Sequence, residues 1–142
     1  QLDTARELGL PVIVHCRGAF NEMLRLFKQD GAPPGGVFHN FSGSLELAEQ
    51  FMEYGMAFSL GGVLTWRNSA KRVRMLRRIY PDHFLLETDA PDIPPVEARG
   101  LVNTPANILY NLRAAAELLD VPAETVAETT TRNASRIFKL QL

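Results

Sequence analysis

Several features that define specialised protein classes are scarce in this sequence. Cysteine occurs once, at Cys16, so no disulfide forms within the chain and a reducing compartment is indicated. No apolar run approaches the roughly 20 residues of a membrane-spanning helix, and no secretory signal is recognisable. The net charge is only −1, from 15 basic and 16 acidic residues, which predicts no strong overall attraction to nucleic acid or anionic lipid. We therefore expect a cytoplasmic protein that does not bind membranes.

What is present fits one globular unit. Hydrophobic residues make up 46% of the chain and charged residues 22%, an ordinary composition for a globular protein, and 142 residues suffice for a single domain. The sequence starts at Gln1, without Met, and residues 1–8 already resemble the end of a helix. We expect residues 1–142 to be a single partial domain that begins inside a longer fold. A processed mature terminus is the alternative.

Short apolar runs recur along the chain, each followed by a polar loop and then by a segment with helical spacing. The apolar runs predict strands at residues 12–15, 37–39, 56–60 and 83–88. Helices are predicted at residues 20–27 and 67–80, and another begins after Ser44, its N-cap. Two more follow, one that begins at Pro105 and one with Pro122 in its first turn. Four strand-then-helix units imply an α/β fold, in which a parallel sheet is covered by outer helices.

Two architectures share this pattern, an open doubly wound sheet and a (β/α)8 barrel. A full barrel needs roughly 250 residues, so four units would supply about half of one. The abrupt start at Gln1 favours the barrel, of which this chain would be one half.

Polar side chains end three of the four predicted strands or follow them closely. His15 and His39 end the first two strands, and Asp89 follows the fourth. Active sites of parallel α/β proteins lie at this edge, and two imidazoles with a carboxylate suit zinc or another divalent metal. His83 starts its strand, roughly 20 Å from Asp89 at about 3.3 Å per residue, and is expected to be structural. A lone histidine is more often structural than a ligand, so the metal hypothesis depends on the shared position of the three.

Five blocks of the sequence, in order along the chain, resemble the TatD family of metal-dependent deoxyribonucleases. They are residues 11–17 (PVIVHCR), 36–44 (GVFHNFSGS), 85–91 (LLETDAP), 103–106 (NTPA) and 129–138 (TTTRNASRIF). Three positions depart from the family pattern: Gly18 replaces a frequent acidic residue, Asn40 a frequent cysteine, and Asp92 a common aromatic residue. These departures leave the subgroup and the substrate open.

The resemblance implies a (β/α)8 TIM barrel whose C-terminal half, about strands five to eight, is this chain. The family's metal ligands are a His-x-His pair, a Glu, two further His and an Asp. The last three correspond to His15, His39 and Asp89, whereas the others have no counterpart and would lie before Gln1. The resemblance also implies divalent metal ions (Zn, Mg or Mn), two in the complete enzyme.

The implied activity is hydrolysis of phosphodiester bonds in DNA by a metal-activated water. Asp89 would orient or deprotonate that water and would therefore also be catalytic. An isolated half would be weakly active or inactive. The alternatives are hydrolysis of another ester such as D-aminoacyl-tRNA, and a non-catalytic half-barrel that pairs with a second copy as a homodimer. The expected partner is thus DNA or another phosphate-containing substrate.

Further residues near the predicted ligands have two interpretations each. Glu87 shares a strand face with Asp89 and would support a ligand, or would form a structural ion pair. Arg17 would bind a substrate phosphate, or would form a surface salt bridge. Ser42 and Gly43 offer backbone N–H groups to a substrate anion, although ordinary helix capping accounts equally well for Ser44. A basic stripe is interpreted as a solvated surface; it consists of Arg67, Lys71, Arg74 and Arg78.

Overall fold

A computed structural model describes residues 1–66 and 70–141 of the chain. Within these ranges, strands and helices alternate as the sequence predicts. Their order is α1 (Leu2–Leu8), β1 (Val12–His15), α2 (Phe20–Asp30), β2 (Gly36–His39), α3 (Leu45–Met52), β3 (Met56–Leu60), α4 (Ala70–Ile79), β4 (Phe84–Leu86), α5 (Ile108–Leu119) and α6 (Ala123–Phe138). No helix in the described ranges has both the length and the apolar character needed to cross a bilayer.

The four strands form one parallel sheet in the order β1-β2-β3-β4. Consecutive strands are therefore neighbours, and each connection carries the chain back past helices. The register pairs His15 with His39 at the ends of β1 and β2, and Ser59 with Leu85 in β3 and β4. The predicted α/β class with parallel strands and covering helices is confirmed.

The fourth strand is shorter than predicted. The sequence predicts residues 83–88, but β4 has only three residues. At its start, the backbone N–H of His83 still donates to Ile79 O at 2.8 Å, which belongs to the turn after α4. At its end, Asp89 adopts a positive φ of 57°, which bends the chain out of the sheet. The strand prediction was therefore too long at both ends.

Two helix starts differ from prediction, and the predicted start of a third lies outside the described ranges. The helix predicted at residues 67–80 is described as α4 from Ala70, and Arg67 with the two residues after it lies outside the described ranges. The helix expected from Pro105 begins as a 3₁₀ turn, Pro105–Asn107, before α5. Pro122 is the N-cap of α6 rather than part of its first turn, a position where its missing N–H is equally harmless.

One face of the sheet, the outer face, packs against α2 to α5 in a core rich in phenylalanine. Phe38, Phe58 and Phe84 project from the strands into this core and are completely buried. Phe27 of α2 and Phe51 of α3 meet them from the helices, and the ring centroids of Phe38 and Phe51 lie 4.3 Å apart. Aromatic pairs of this kind contribute about 0.5–1.5 kcal/mol beyond the burial of their area. The outer face therefore holds the sheet and the helices together.

The opposite face, the inner face, has a small apolar cluster and a largely polar edge. Val37, Ala57 and Leu85 form a buried row across β2, β3 and β4. Ile13, which pairs with Val37 in register, is 70% exposed on β1. Alternation along each strand places His15, His39 and Ser59 on this same face. The inner face is therefore only partly covered.

The C-terminal turns of α6 lie against the inner face near the amino ends of the strands, whereas Val126 of the same helix is buried in the outer core. The Asn133 side chain donates to the carbonyl oxygens of Pro81 and Phe84, at 2.6 and 3.0 Å. At the end of the helix, Lys139 Nζ donates to Gly9 O at 3.1 Å, just before β1. Ala134, Ile137 and Phe138 pack on the buried inner row. The carboxyl ends of the strands stay open.

Candidate functional site

The two histidines predicted as ligands lie side by side at the carboxyl edge of the sheet. His15 ends β1 and His39 ends β2, and the parallel register places them opposite each other. Their ring centroids are 5.4 Å apart with the planes tilted by 35°. Because Val14 and Phe38 project into the outer core, alternation directs both imidazoles to the inner face.

Asp89 reaches the same edge from the loop after β4. Its positive φ is tolerated by aspartate better than by most residues, because a short polar side chain has favourable local contacts there. Its Oδ1 lies 3.6 Å from His39 Nε2, and its Oδ2 accepts a hydrogen bond from Asn40 Nδ2 at 3.5 Å. The structure thus places the three predicted ligands at one edge and brings His39 and Asp89 face to face.

Glu87 lies behind His39 and fixes its ring. The carboxylate Oε2 is 3.0 Å from His39 Nδ1 and also accepts a hydrogen bond from the Ser59 hydroxyl. An ionised carboxylate only accepts hydrogen bonds, so Nδ1 is the donor and carries the hydrogen. In the neutral imidazole, Nε2 then presents its lone pair toward Asp89.

The backbone of Glu87 is also held. Its carbonyl oxygen accepts from Asn111 Nδ2 at 2.8 Å, and Asn111 is fully buried in α5. Gly61 leaves room for this carbonyl, because a Cβ there would come within 3.0 Å of it. Glu87 Oε1 is buried without a hydrogen-bond partner among the described residues. Neighbouring residues therefore position both the backbone and the carboxylate of Glu87.

The donor atoms of this edge fit a divalent metal in their chemistry and, for one pair, in their spacing. Tetrahedral zinc holds nitrogen and oxygen at about 2.0–2.2 Å, which places two ligand atoms about 3.4 Å apart. The 3.6 Å between His39 Nε2 and Asp89 Oδ1 is close to that distance. Over residues 1–66 and 70–141, however, no three His, Cys, Asp or Glu side chains meet as a ready metal cluster. His15 lies beside this pair, with its ring centroid 5.4 Å from that of His39.

The residues predicted to meet a substrate lie on the rim of this edge. Arg17 is exposed in the loop after β1. Ser42 and Gly43 line a cleft of about 210 Å³ between the loop after β2 and the first turns of α4. Gly43 also has a packing role, because a Cβ there would come within 2.4 Å of the Phe41 ring. Ser44 Oγ accepts from Leu47 N at 3.3 Å, which confirms it as the cap of α3.

Two other residues have structural surroundings. His83 Nδ1 is 3.0 Å from Met56 O, at the amino end of the sheet, so its separation from the ligand edge is confirmed. Burial raises the pKa of the Cys16 thiol, against a smaller opposing effect of a backbone hydrogen bond with Ala19. Cys16 is therefore a protonated thiol at neutral pH and fills space in the outer core.

Sequence reasoning missed the polar residues that position the site. Asn40 was noted only as a departure from a family pattern, yet it contacts Asp89. Ser59 carries a signal that was available, because alternation within residues 56–60 places it on the inner face one step from the strand end. Asn103 holds the loop after β4 through Thr88 O and Asp92 O, at 2.7 and 2.6 Å. No spacing rule points to that contact.

Comparison with known proteins gives consistent matches along nearly the whole chain. The chain is 36% identical over 141 residues to the uncharacterized metal-dependent hydrolase YabD of Bacillus subtilis, covering 99% of this chain and 55% of that protein. It is 36% identical to the uncharacterized metal-dependent hydrolase TatD of Mycobacterium tuberculosis, covering 98% and 53% of the two. The chain thus spans about half the length of the curated relatives it matches.

Solved structures also resemble this chain over nearly its whole length. The crystal structure of YjjV, a TatD homologue from Escherichia coli, superposes with a TM-score of 0.88 at 32% identity, over 99% of this chain and 54% of that one. A TatD family hydrolase from Entamoeba histolytica, at 17% identity and a TM-score of 0.78, shares the fold. The family pattern described as TatD related DNase matches residues 1–139. By this match, the chain belongs to the family of TatD related DNases.

Proposed function

We propose that the chain is the C-terminal half of a (β/α)8 barrel and contributes strands five to eight of a metal-dependent hydrolase. The match to about half of each relative supports this, since the four parallel strands superpose on part of a longer protein. An inner face that is 70% exposed at Ile13 also supports it, because barrels bury their inner face. The remaining four strands would cover this face.

His15, His39 and Asp89 would hold a divalent ion, Zn, Mg or Mn, and two ions would bind in the complete enzyme. The observation that carries this proposal is the opposition of His39 Nε2 and Asp89 Oδ1 at 3.6 Å. Nε2 is an acceptor because Nδ1 carries the ring hydrogen and donates it to Glu87. A cation between Nε2 and Asp89 Oδ1 therefore relieves the repulsion of two acceptors. When bound, a divalent metal lowers the pKa of water and polarises a phosphoryl oxygen.

The chain's own residues then have distinct roles. Glu87 keeps His39 in the tautomer that offers Nε2, through the contact at 3.0 Å, and so acts as a supporting residue behind a ligand. Asp89 orients the attacking water and accepts its proton, while Asn40 holds the second carboxylate oxygen. Arg17, with the backbone N–H groups near Ser42 and Gly43, neutralises the substrate phosphate from the rim.

The substrate class favoured is DNA, with phosphodiester hydrolysis as the reaction. The family description, TatD related DNase, supports this, and so does a rim that offers cations and N–H groups at the ligand edge. The test is to assay the full-length gene product on single-stranded DNA with Mg²⁺, Mn²⁺ or Zn²⁺. D-aminoacyl-tRNA is assayed in parallel, and preference for it would redirect the proposal to that ester.

Variants locate the activity in the proposed residues. Asp89→Asn is expected to lower turnover by at least about a hundredfold, because it loses the proton acceptor. Asp92→Asn is the matched control, an exposed carboxylate of the same loop that contacts the site only through its backbone. Inactivity of the wild type with all three metals, or equal effects of the two variants, would contradict the proposal.

The isolated chain offers a second test, because three of the proposed ligands lack their partners. We expect it to hydrolyse DNA weakly or not at all and to bind metal weakly in calorimetry. The exposed inner face also favours self-association of two copies, the non-catalytic alternative. Light scattering distinguishes a monomer from a dimer of the chain, and a well-folded monomer would argue against pairing.

A further inference from the structure

A cleft, here called the α4 cleft, opens beside the ligand edge between the loop after β2 and the first turns of α4. It has a volume of about 210 Å³, and the loop residues 40–43 form one wall. Asn40 both lines this cleft and donates to Asp89, so the cleft begins one side chain away from the proposed metal site. A chain molecule that is cut at Asp89 would therefore have a neighbouring unit within reach of the cleft.

The opposite wall of the cleft is basic. Lys71 and Arg72 line it from the first turn of α4, and none of the described residues in its lining is acidic. Arg72 Nη1 donates to Val63 O at 3.1 Å and so braces the wall. The residues of the basic stripe, which the sequence analysis interprets as a solvated surface, therefore have different surroundings in the fold. Arg78 pairs with Glu49 at 2.8 Å, away from the cleft, whereas Lys71 faces into it.

One acidic residue lies near this wall. The pKa of Glu46 is lowered first by a hydrogen bond to its own backbone and then by Ser44, with smaller effects of Lys71 and Arg74. Glu46 is exposed to solvent and does not line the cleft. Its negative charge reduces the positive potential around Lys71, but its side chain does not occupy the cleft. The cleft remains suited to an anion.

The floor of the cleft is apolar. Phe41, Leu60 and Met75 form it, and all three are buried. The Phe41 ring is fixed by Phe58, with centroids 4.6 Å apart, so the floor is preformed. A ligand that matches both walls and floor carries a negative group beside a flat or apolar ring. A nucleotide unit has this combination, because its phosphate meets cations while its sugar and base lie on apolar surface.

We propose that the α4 cleft binds the nucleotide next to the scissile phosphodiester, with its phosphate at Lys71 and its ring over the floor. This inference rests on the proposed function, since it assigns the cleft to the same substrate. It does not depend on the N-terminus of α3, where Ser44 already accepts from Leu47 N. Lys71 would thus determine the preference for a strand with several phosphates over a small diester.

The test measures binding of fluorescently labelled oligothymidylate to the full-length gene product by anisotropy, over a range of salt and without added metal. Lys71→Gln is expected to weaken binding about threefold to tenfold and to reduce the slope of log affinity against log salt by about 0.7. Arg74→Gln is the matched control, since it removes the same charge from the same helix outside the cleft. Lys71 is exposed, so the fold is retained, which circular dichroism checks.

Equal effects of the two substitutions, or no binding of the oligonucleotide to the wild type, would overturn the assignment of the cleft. Hydrolysis of bis(p-nitrophenyl) phosphate, a diester without a neighbouring phosphate, separates this from the proposed function. Lys71→Gln is expected to slow DNA hydrolysis and to leave the small diester unchanged. If the wild type hydrolyses neither substrate, the proposed function is wrong. The oligonucleotide-binding measurement alone then tests whether the cleft binds a nucleotide.

Discussion

The two faces of the parallel sheet differ in what surrounds them. On the outer face, Phe38, Phe58 and Phe84 are completely buried against helices of the same chain. On the inner face, Ile13 is 70% exposed, and the polar side chains at the strand ends contact one another. Because successive residues of a strand face opposite sides, one short strand serves both faces. Stability is thus concentrated on one face and the proposed chemistry on the other.

The largest expected effect belongs to the outer face. Phe58→Ala removes a ring that stacks at 6.1 Å from Phe38 and lies 4.6 Å from Phe41. We expect it to lower the free energy of unfolding by about 3–5 kcal/mol, because a buried ring leaves a cavity. Urea denaturation of the 142-residue chain measures this. A loss below about 1 kcal/mol would show that the phenylalanine core does not stabilise the sheet.

A smaller effect is expected from the polar part of the inner face. Glu87→Gln keeps the shape of the side chain but loses the charge behind His39. We expect metal affinity of the full-length gene product to fall about tenfold to hundredfold, with little change in stability. Calorimetric titration with Zn²⁺ measures the affinity, and Glu97→Gln, an exposed carboxylate outside the site, is the control. Unchanged affinity would leave Glu87 as a structural ion pair.

The smallest effect is expected at the exposed apolar position. Ile13→Ser replaces a side chain that is already in solvent in this chain, so its unfolding free energy should change by less than about 0.5 kcal/mol. In the full-length gene product, the same substitution should lower the free energy of unfolding by about 2 kcal/mol or more if the other strands of the proposed barrel bury Ile13. Comparing the two proteins by denaturation therefore measures whether the inner face is completed. Equal small effects would contradict the half-barrel.

Strand periodicity explains which parts of the candidate site could be predicted from the sequence. His15 and His39 could be placed at one edge because parallel strands all end on the same side, and His83 could be excluded for the same reason. The contact of Asn40 with Asp89 could not, since it depends on a loop conformation with positive φ. The extent of residues 1–142 as a single partial domain stays a prediction.

Helical spacing had a different weakness. It identified one side of α4 as basic, but the period of a helix does not tell which loop its first turn meets. Lys71 is exposed, as the sequence predicts, and it also lines the cleft. Arg67, at the start of that stripe, lies outside the described residues.

Glu87 lies directly after β4, and its carboxylate contacts His39 of β2 and Ser59 of β3. These side-chain contacts link three adjacent strands. A slip of β4 by one residue would turn Glu87 toward the helices and bring Leu86 to the imidazole. The orientation of the His39 imidazole would then be lost together with the native alignment of the strands. One carboxylate therefore couples the register of β2, β3 and β4 to the geometry of the proposed ligand edge.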